Sequence, residues 1–246
     1  MTSLRDASIL IVGASGGLGR DIARLLAENG ARLILSGRDR GRLEALKLPG
    51  TIMTADLAVP ADILDLVARA TDVDGRLDGI VNAAGVVAFG AATEVSDATL
   101  ERLFAVNTLA PIRLLRAARH ALTDSAAAGR RPFVVTLSGV VSESPTANLA
   151  AYSASKAALA AFDKAAGREL RRTGIRILDA RPGHTETGLS AHPIAGEAPR
   201  LPTGHAPNLV ARRIVDAIMA DEADLPSTAF SVPAGSPSPP ETGTGG

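Results

Sequence analysis

Tyr152 and Lys156 lie four residues apart in the stretch AAYSASKAALAAF, in a chain that uses both residue types sparingly. Tyr152 is the single tyrosine among 246 residues, and the other lysines are Lys47 and Lys164. Residues i and i+4 share one face of a helix, so the two side chains are predicted to be neighbours. A nearby ammonium lowers the pKa of a phenol from its usual value of about 10, because positive charge favours the phenolate. The pair therefore predicts a general acid and base, and a packed ring beside a solvated amine is the alternative.

The glycine-rich stretch VGASGGLGRDIARLL follows an apolar run and opens an amphipathic one. Gly13, Gly16, Gly17 and Gly19 stand where a strand would turn into a helix. The N–H groups and the dipole of a helix N-terminus favour anions, and side chains at the turn would block the approach of a ligand. This context predicts a site for the pyrophosphate of a dinucleotide, and a tight turn without a ligand is the alternative.

The second apolar run ends in SGRDR, which bears on the choice of dinucleotide. A site for NAD(H) usually has an acidic residue here, but Gly37 occupies the position and Arg38 follows it. A guanidinium pairs with the 2′-phosphate of NADP(H), which an acid would repel. We therefore expect NADP(H) in preference to NAD(H). Asp39 is an acidic residue close to this position, so NAD(H) is the alternative cofactor. A solvated loop charge is the alternative role for Arg38.

Short apolar runs alternate with amphipathic stretches along the chain. The predicted strands lie in SILIVGAS, ARLILSGR, TIMTADL, LDGIVNAAG, PFVVTLSG and IRILDARPG, with STAFSV as a candidate edge strand. Strands that are apolar on both faces and separated by helices predict a doubly wound, mostly parallel α/β sheet with helices on both faces. One long helix is predicted over DATLERLFAVNTLAPIRLLRAARHAL, kinked or locally opened near Pro111.

The composition restricts the possible functions further. The chain has 46% hydrophobic and 2% aromatic residues, no cysteine and a formal net charge of zero. We expect no nucleic-acid partner, no disulfide, no thiolate metal site and no membrane span, and hence a cytoplasmic protein. Residues 1–232 are predicted to form one domain with a lid over 184–207, followed by a disordered tail over 233–246. His184, His192 and His205 lie in the lid without metal-ligand spacing, so no metal is expected.

Seven short motifs stand in order along the chain: GASGGLG, ADL at Asp56, NAAG from Asn82, VN at Asn107, LSG at Ser138, YSASK from Tyr152 and RPG from Arg181. Each is common by chance, but the ordered set resembles the short-chain dehydrogenase/reductase family from Leu4 to about Val232. The resemblance implies a Rossmann-type fold with the cofactor across the carboxyl ends of the strands. It also implies an oxidoreductase that interconverts a carbonyl and a secondary alcohol.

The resemblance assigns cofactor contacts to individual residues. Asp56 would accept a hydrogen bond from the adenine amino group, and the NAAG turn would border the adenosine ribose. The backbone after Pro182 would bind the nicotinamide carboxamide, although Thr185 stands where Ile or Val is more usual. The predicted cofactor-binding residues are Gly13, Ser15, Gly16, Gly17, Leu18, Gly19, Arg38, Asp56, Leu57, Asn82, Ala83, Gly85, Tyr152, Lys156, Pro182, Gly183, Thr185 and Thr187.

The same resemblance completes the predicted catalytic set of Asn107, Ser138, Tyr152 and Lys156. Ser138 would hydrogen-bond the substrate oxygen near Tyr152. Asn107 would hold a water that links Lys156 to solvent, and Lys156 would also bind the nicotinamide ribose. In carbonyl reduction the Tyr152 hydroxyl would then supply the proton.

Two other functions are weighed against an NADP(H)-dependent carbonyl reductase. A dinucleotide-sensing regulator without catalysis would be expected to lose the Tyr, Lys and Ser set. A nucleotide-sugar dehydratase or epimerase uses the same pair, but generally has a longer C-terminal domain. We expect a small-molecule substrate and a homodimer in preference to a tetramer, formed through the long helix and the helix of Tyr152.

Overall fold

The computed structural model describes residues 1–231, so Val232 and the predicted tail over 233–246 lie outside the described residues. The strands within the described part are β1 Ser8–Val12, β2 Arg32–Gly37, β3 Thr51–Thr54, β4 Gly79–Asn82, β5 Phe133–Leu137, β6 Arg176–Ala180 and β7 Asp224–Leu225. They form one parallel sheet in the order β3-β2-β1-β4-β5-β6-β7. This doubly wound α/β domain confirms the predicted fold class.

Helices cover both faces of the sheet. The described helices are α1 Gly17–Glu28, α2 Arg40–Glu44, α3 Pro60–Asp74, α4 Asp97–Phe104, α5 Ala110–Ala127, α6 Ala150–Leu170 and α7 Pro207–Met219. Helices α1 and α7 pack on one face, and α3, α5 and α6 pack on the other. Across the described residues, every helix is too short or too polar to span a membrane.

The alternation of side chains along β1 explains why the strand is apolar throughout. Ile9 and Ile11 belong to the core on one face of the sheet, whereas Leu10 and Val12 belong to the core on the other. Successive strand residues point to opposite faces, so a strand covered on both sides needs an apolar residue at every position. The chain order reverses between β1 and β4, and open α/β sheets bind ligands in the crevice at that point.

The predicted long helix is divided into α4, a π-helical turn Ala105–Leu109 and α5. Pro111 lies in the first turn of α5, directly after the π-helical turn, and its missing N–H leaves a carbonyl of the preceding turn without a helical donor. The local opening predicted near Pro111 therefore occurs, but it lies on the N-terminal side of the proline and contains Asn107.

The prediction of an edge strand in STAFSV is wrong. Ser227–Phe230 forms a 3-10 turn, and the edge strand is β7, which precedes it. Phe230 is the large apolar residue of this segment, and it is buried in the core beside α7. A single turn is sufficient to bury it. The sequence analysis also missed the short helix α2, which Asp39 caps by accepting a hydrogen bond from the Arg42 N–H at 3.1 Å.

Candidate active site

The carboxyl ends of β1, β4, β5 and β6 bring the predicted site residues to one edge of the sheet. Gly13 follows β1, Asn82 ends β4, Ser138 follows β5 and Pro182 follows β6. Because β1, β4, β5 and β6 are consecutive neighbours in a parallel sheet, four segments distant in sequence meet there. The buried Oδ1 of Asn82 has no hydrogen-bond partner within residues 1–231.

The turn between β1 and α1 forms a cradle that side chains would fill. Gly13 has φ +80°, and a Cβ there would stand 2.7 Å from the Ala84 N atom. A Cβ on Gly19 would collide with the Gly13 carbonyl oxygen. No side chain caps the start of α1, and its first turn holds no acidic residue. The exposed N–H groups and the helix dipole therefore fit a pyrophosphate.

A surface cavity of about 370 Å³ lies beyond the ends of β2 and β3 and brings Arg38 and Asp56 together, with Thr54, Ala55 and Asp62. Asp56 Oδ1 accepts a hydrogen bond from the Ala58 N–H at 3.0 Å, and Asp62 Oδ2 accepts one from the Asp56 N–H at 2.9 Å. These bonds hold the loop after β3 against α3. The cavity thus joins the two residues predicted to bind the adenosine end of a dinucleotide.

Three polar side chains lie near the end of β2: the hydroxyl of Ser15, the guanidinium of Arg38 and the carboxylate of Asp39, which already accepts a hydrogen bond. A Cβ on Gly37 would stand 3.3 Å from the Ser15 Oγ atom, so Ser15 lies against the strand end that precedes Arg38. Arg38 is exposed. The Asp39 carboxylate caps α2 and is thereby directed to a backbone N–H. Ser15 and Arg38 fit a phosphate at this place.

Tyr152 and Lys156 are neighbours on α6, as their spacing predicts. The Lys156 Nζ atom lies 5.9 Å from the centre of the Tyr152 ring and donates a hydrogen bond to the Leu137 carbonyl at 2.6 Å. Burial lowers the pKa of Lys156 to about 8, while Asp179 and Asp163 act in the opposite direction. Burial raises the pKa of Tyr152 to about 12. The expected lowering of the tyrosine pKa is therefore wrong for this state, because desolvation disfavours the phenolate.

Ser138 is fully buried and engaged in hydrogen bonds away from Tyr152. Its hydroxyl donates to Asp179 Oδ1 at 2.6 Å, and its backbone N–H donates to the same oxygen at 3.3 Å. The partly buried Ser142 lies next to it, with 3.2 Å between the two Oγ atoms. The structure thus places Ser138 at the predicted strand end but turns its proton to a carboxylate.

Asn107 lies in the π-helical turn and is buried. Its side chain exchanges two hydrogen bonds with the Val86 backbone and donates a third to Ser155 Oγ at 3.1 Å. A Cβ on Gly85 would stand 3.4 Å from Asn107 Oδ1 and 3.5 Å from Lys156 Nζ. Gly85 therefore lies between two predicted catalytic residues, and its lack of a side chain keeps that space open.

The predicted lid is fastened at its base and near its middle. Thr185 and His205 form an isolated parallel bridge, and His205 N–H donates to the His184 carbonyl at 2.7 Å. Ile194 N–H donates to the Val87 carbonyl at 2.8 Å, and Phe89 N–H donates to the Ala195 carbonyl at 2.9 Å. The lid therefore lies against the loop that follows β4.

The base of the lid also meets the cradle. A Cβ on Gly17 would stand 2.6 Å from the Thr187 Cβ atom, so Thr187 lies over the start of α1. Thr185 Oγ1 donates to the Gly183 carbonyl at 2.9 Å, which satisfies the polar side chain at the position that is more usually Ile or Val. His184 Nε2 lies 3.4 Å from Glu186 Oε1, but no group of three acidic or histidine side chains in residues 1–231 could hold a metal ion.

A second cavity of about 310 Å³ lies between the loop after β4, the start of α6 and the lid. Alanine, glycine, valine, leucine and phenylalanine make up most of its lining, and Glu94 is the one ionisable residue among the described lining residues. Leu149, Ala150 and Ala151, which immediately precede Tyr152, belong to that lining. The cavity suits an uncharged, largely aliphatic compound.

The sequence analysis missed two residues of this region, Asp163 and Asp179. Both are buried beside Lys156, Thr136 and Ser138. A signal was available, because each is a charged residue inside an otherwise apolar stretch: ILDA for Asp179 and AAFDKAA for Asp163. A charged residue inside a buried apolar stretch is a candidate functional residue.

The chain is similar to known short-chain dehydrogenases over most of its length. A family model described as short chain dehydrogenase matches residues 7–197. The chain is 31% identical over 229 residues to the ketoacyl reductase HetN of a Nostoc species, covering 89% of this chain and 77% of that protein. A metagenomic short-chain oxidoreductase in complex with NADP has 30% identity and a TM-score of 0.74, covering 92% of this chain and 97% of that one.

The fold is also similar to more distant structures. The crystal structure of 3-ketoacyl-(acyl-carrier-protein) reductase from Brucella melitensis complexed with NADH has a TM-score of 0.82 at 22% identity. It covers 93% of this chain and all of that one, which shows a shared fold over nearly the whole length.

Proposed function

Because this chain belongs to the short-chain dehydrogenase family of oxidoreductases, we propose that it interconverts a carbonyl compound and a secondary alcohol, with NADP(H) as the cofactor. The observation that carries the proposal is the Tyr152–Lys156 pair at the same sheet edge as the glycine cradle. When bound, the nicotinamide supplies or accepts the hydride. The side chains of the protein then have to supply or remove one proton at the substrate oxygen.

Tyr152 is the proposed general acid and base. With its pKa raised by burial to about 12, the phenol is protonated near neutral pH and can donate to a carbonyl oxygen that gains negative charge. In the reverse direction it has to accept the alcohol proton, and the nearby Lys156 ammonium stabilises the phenolate that does so. A bound substrate would place an oxygen beside the phenol and change its solvation. The pKa of Tyr152 in the working complex is therefore set by the bound substrate.

Ser138 is proposed to contact the substrate oxygen, as the family resemblance implies. In the described conformation its proton is donated to Asp179, so this contact requires the hydroxyl to turn away from that carboxylate. We therefore expect Ser138→Ala to reduce turnover less than Tyr152→Phe. Asn107 is proposed to act through its backbone carbonyl, because its side chain already bonds Val86 and Ser155.

The preference for NADP(H) is supported by Ser15 and the exposed Arg38 at the end of β2 and by the use of Asp39 as a helix cap. The remaining contacts are proposed along the crevice: the cradle for the pyrophosphate, the Arg38–Asp56 cavity for the adenosine end, and Pro182, Gly183, Thr185 and Thr187 for the carboxamide. The relative bound to NADP at 30% identity is consistent with this choice.

The apolar cavity beside Tyr152 supports a neutral, aliphatic carbonyl compound as the substrate class.

A homodimer is also proposed. Leu100 and Leu109 are exposed on the segment of α4 and the π-helical turn that was predicted to pair, at 37% and 41% of their surface. Light scattering of the purified protein tests the dimer, and a tetramer mass would contradict it.

The function is tested by following NADPH oxidation with a panel of ketones and acyl thioesters, and NADP+ reduction with hydroxysteroids and aliphatic secondary alcohols. Tyr152→Phe keeps the ring and removes one hydroxyl, so it is expected to bind NADPH as the wild type does while turnover falls about 10³-fold. A Tyr152→Phe variant within a few-fold of wild type would refute the proposed role. NADPH binding without turnover of any compound would favour the sensing regulator.

A further inference from the structure

Three consecutive residues after the middle of β5 each bond a different buried charged side chain. Thr136 Oγ1 donates to Asp163 Oδ2, Lys156 Nζ donates to the Leu137 carbonyl, and Ser138 Oγ donates to Asp179 Oδ1, each at 2.6 Å. The three charged residues are nearly inaccessible, with 4% exposure for Asp163, 5% for Asp179 and 6% for Lys156. The end of β5 thus holds one amine and two carboxylates side by side.

The topology explains how these charges come together. Thr136 and Asp179 are register partners on β5 and β6, so Asp163 and Asp179 flank one position of β5. Lys156 and Asp163 are seven residues apart on α6, which places them on one helix face two turns apart. The charged groups that face Asp163 are therefore Lys156 on its own helix and Asp179 on the sheet, with Arg181 behind Asp179.

Arg181 accounts for only one of the two carboxylates. Its Nη1 atom lies 2.7 Å from Asp179 Oδ2, and its other nitrogens bond Glu143 and Asp224. Asp163 is bonded to the neutral Thr136 hydroxyl, and Lys156 is the cation whose charge acts on it. The proposed catalytic lysine is thus the counter-charge of a carboxylate that the proposed reaction does not otherwise use.

We propose that Asp163 and Asp179 are positioning residues that act through Lys156, holding its amine in the charged form behind Tyr152. The inference rests on the proposed function, in which the ammonium of Lys156 stabilises the Tyr152 phenolate. A buried amine without negative groups nearby gives up its proton, because desolvation penalises the charged form. Two carboxylates anchored to the same strand as the amine offset that penalty.

The ionisation of Asp163 makes the support that the carboxylates give to the Lys156 ammonium depend on pH. Burial, followed by the repulsion from Asp179, raises the pKa of Asp163 to about 7, and the Thr136 hydrogen bond and Lys156 oppose it. Below that pH Asp163 is mostly neutral, and above it a second negative charge stands behind Lys156. The support for the ammonium therefore increases as the pH rises through neutrality, toward the region where Lys156 would otherwise lose its proton.

The small number of lysines permits a direct measurement that needs no substrate. Protein labelled with ¹³Cε-lysine gives signals from Lys47, Lys156 and Lys164, and Lys47→Arg and Lys164→Arg assign them. In Asp163→Asn, which keeps an acceptor oxygen for Thr136, the pKa of Lys156 is expected to fall by about one unit. The matched control is Asp21→Asn, which removes a buried carboxylate from α1 on the opposite face of the sheet. There the Lys156 titration is expected to stay at its wild-type value.

Asp179→Asn provides an independent second variant, since it keeps an acceptor oxygen for Ser138 and removes the charge. A Lys156 pKa that stays within about 0.2 unit of wild type in both folded variants would overturn the inference, since a charge a few ångströms away must move it further. Kinetics distinguishes this from a failure of the proposed function. If the Lys156 pKa falls but the pH profile of turnover does not follow it, the inference stands and the role given to Lys156 in the proposed reaction fails.

Discussion

Asn107 and Val86 exchange two hydrogen bonds: the Val86 N–H donates to Asn107 Oδ1 at 3.0 Å, and Asn107 Nδ2 donates to the Val86 carbonyl at 2.9 Å. They fasten the π-helical turn to the segment that follows β4. The third bond, to Ser155 Oγ, joins the same side chain to α6 one residue before Lys156. A single amide therefore connects three of the segments that form the proposed site.

Replacing Asn107 by alanine is expected to destabilise the protein as well as the site. The variant leaves two partly buried backbone groups of Val86 without their partner, at a cost of about 2 kcal/mol. A fall in Tm of roughly 5 °C is expected for a chain of this size, together with lower turnover. Asp72→Ala, at an exposed position on α3, is the control and should have little effect on either quantity. An Asn107→Ala protein as stable as wild type would contradict the structural role of this amide.

Arg38→Ala is expected to change the choice of cofactor more than the reaction itself. A hydrogen-bonded charge pair with a 2′-phosphate contributes about 1.5–3 kcal/mol, so the ratio of kcat/KM for NADPH over NADH should fall roughly 10- to 100-fold. Arg40→Ala, whose guanidinium pairs with Glu44, serves as the matched control. A wild-type preference for NADH, or an unchanged ratio in Arg38→Ala, would reject the proposed phosphate contact.

Gly19→Ala is expected to abolish dinucleotide binding. The added methyl group would collide with the Gly13 carbonyl oxygen, so the cradle has to open or the start of α1 has to shift. Titration of NADPH fluorescence measures the loss. Gly41→Ala in α2, where the nearest atom would be the Asp39 Oδ1 at 3.4 Å, should bind normally. Normal binding by Gly19→Ala would show that the cradle is not the pyrophosphate site.

The stability of the protein should depend on pH through Asp163. Its folded-state pKa of about 7 lies above the ordinary value of 3.8, so the folded state holds this proton more tightly than the unfolded state. The free energy of unfolding therefore falls as the pH rises from about 4 to about 7. Asp163→Asn removes this pH-dependent contribution. The Tm of the variant minus the Tm of wild type should therefore be larger at pH 8 than at pH 4.5, two conditions that lie about three pH units apart and span the titration. Equal gains at both pH values would show that Asp163 titrates normally.

The sequence was sufficient for the fold and for the place of the proposed site. Strands apolar on both faces, separated by amphipathic stretches, define a parallel sheet, and its carboxyl ends bring the glycine cradle, Ser138 and Tyr152 to one edge. Pro111 also indicated the opening in the long helix. These features depend on local pattern and on chain order, both of which the sequence contains.

The orientation and ionisation of the side chains could not be predicted in the same way. The hydroxyl of Ser138 turns to Asp179, whose register partner on β5 is Thr136, two residues before Ser138. The pKa of Tyr152 is raised because burial disfavours the charged phenolate, and that burial depends on the packing of the whole domain. STAFSV was assigned as a strand from its residue types alone, whereas burial of Phe230 determines a turn there.

The π-helical turn fixes the rotational phase of the two helices that it joins. The N–H of Ala110 reaches back five residues to the carbonyl of Ala105, so the segment holds one residue more than an uninterrupted α-helix would. Each residue rotates an α-helix by about 100°, so an uninterrupted α-helix formed by the same residues would rotate every side chain of α5 by about that angle relative to α4. Closing this turn into a regular α-helix without removing a residue would therefore rotate Leu114 away from its present direction relative to Leu103, and both side chains are buried now. The one extra residue in this turn therefore determines which side chains of α5 face the interior of the protein.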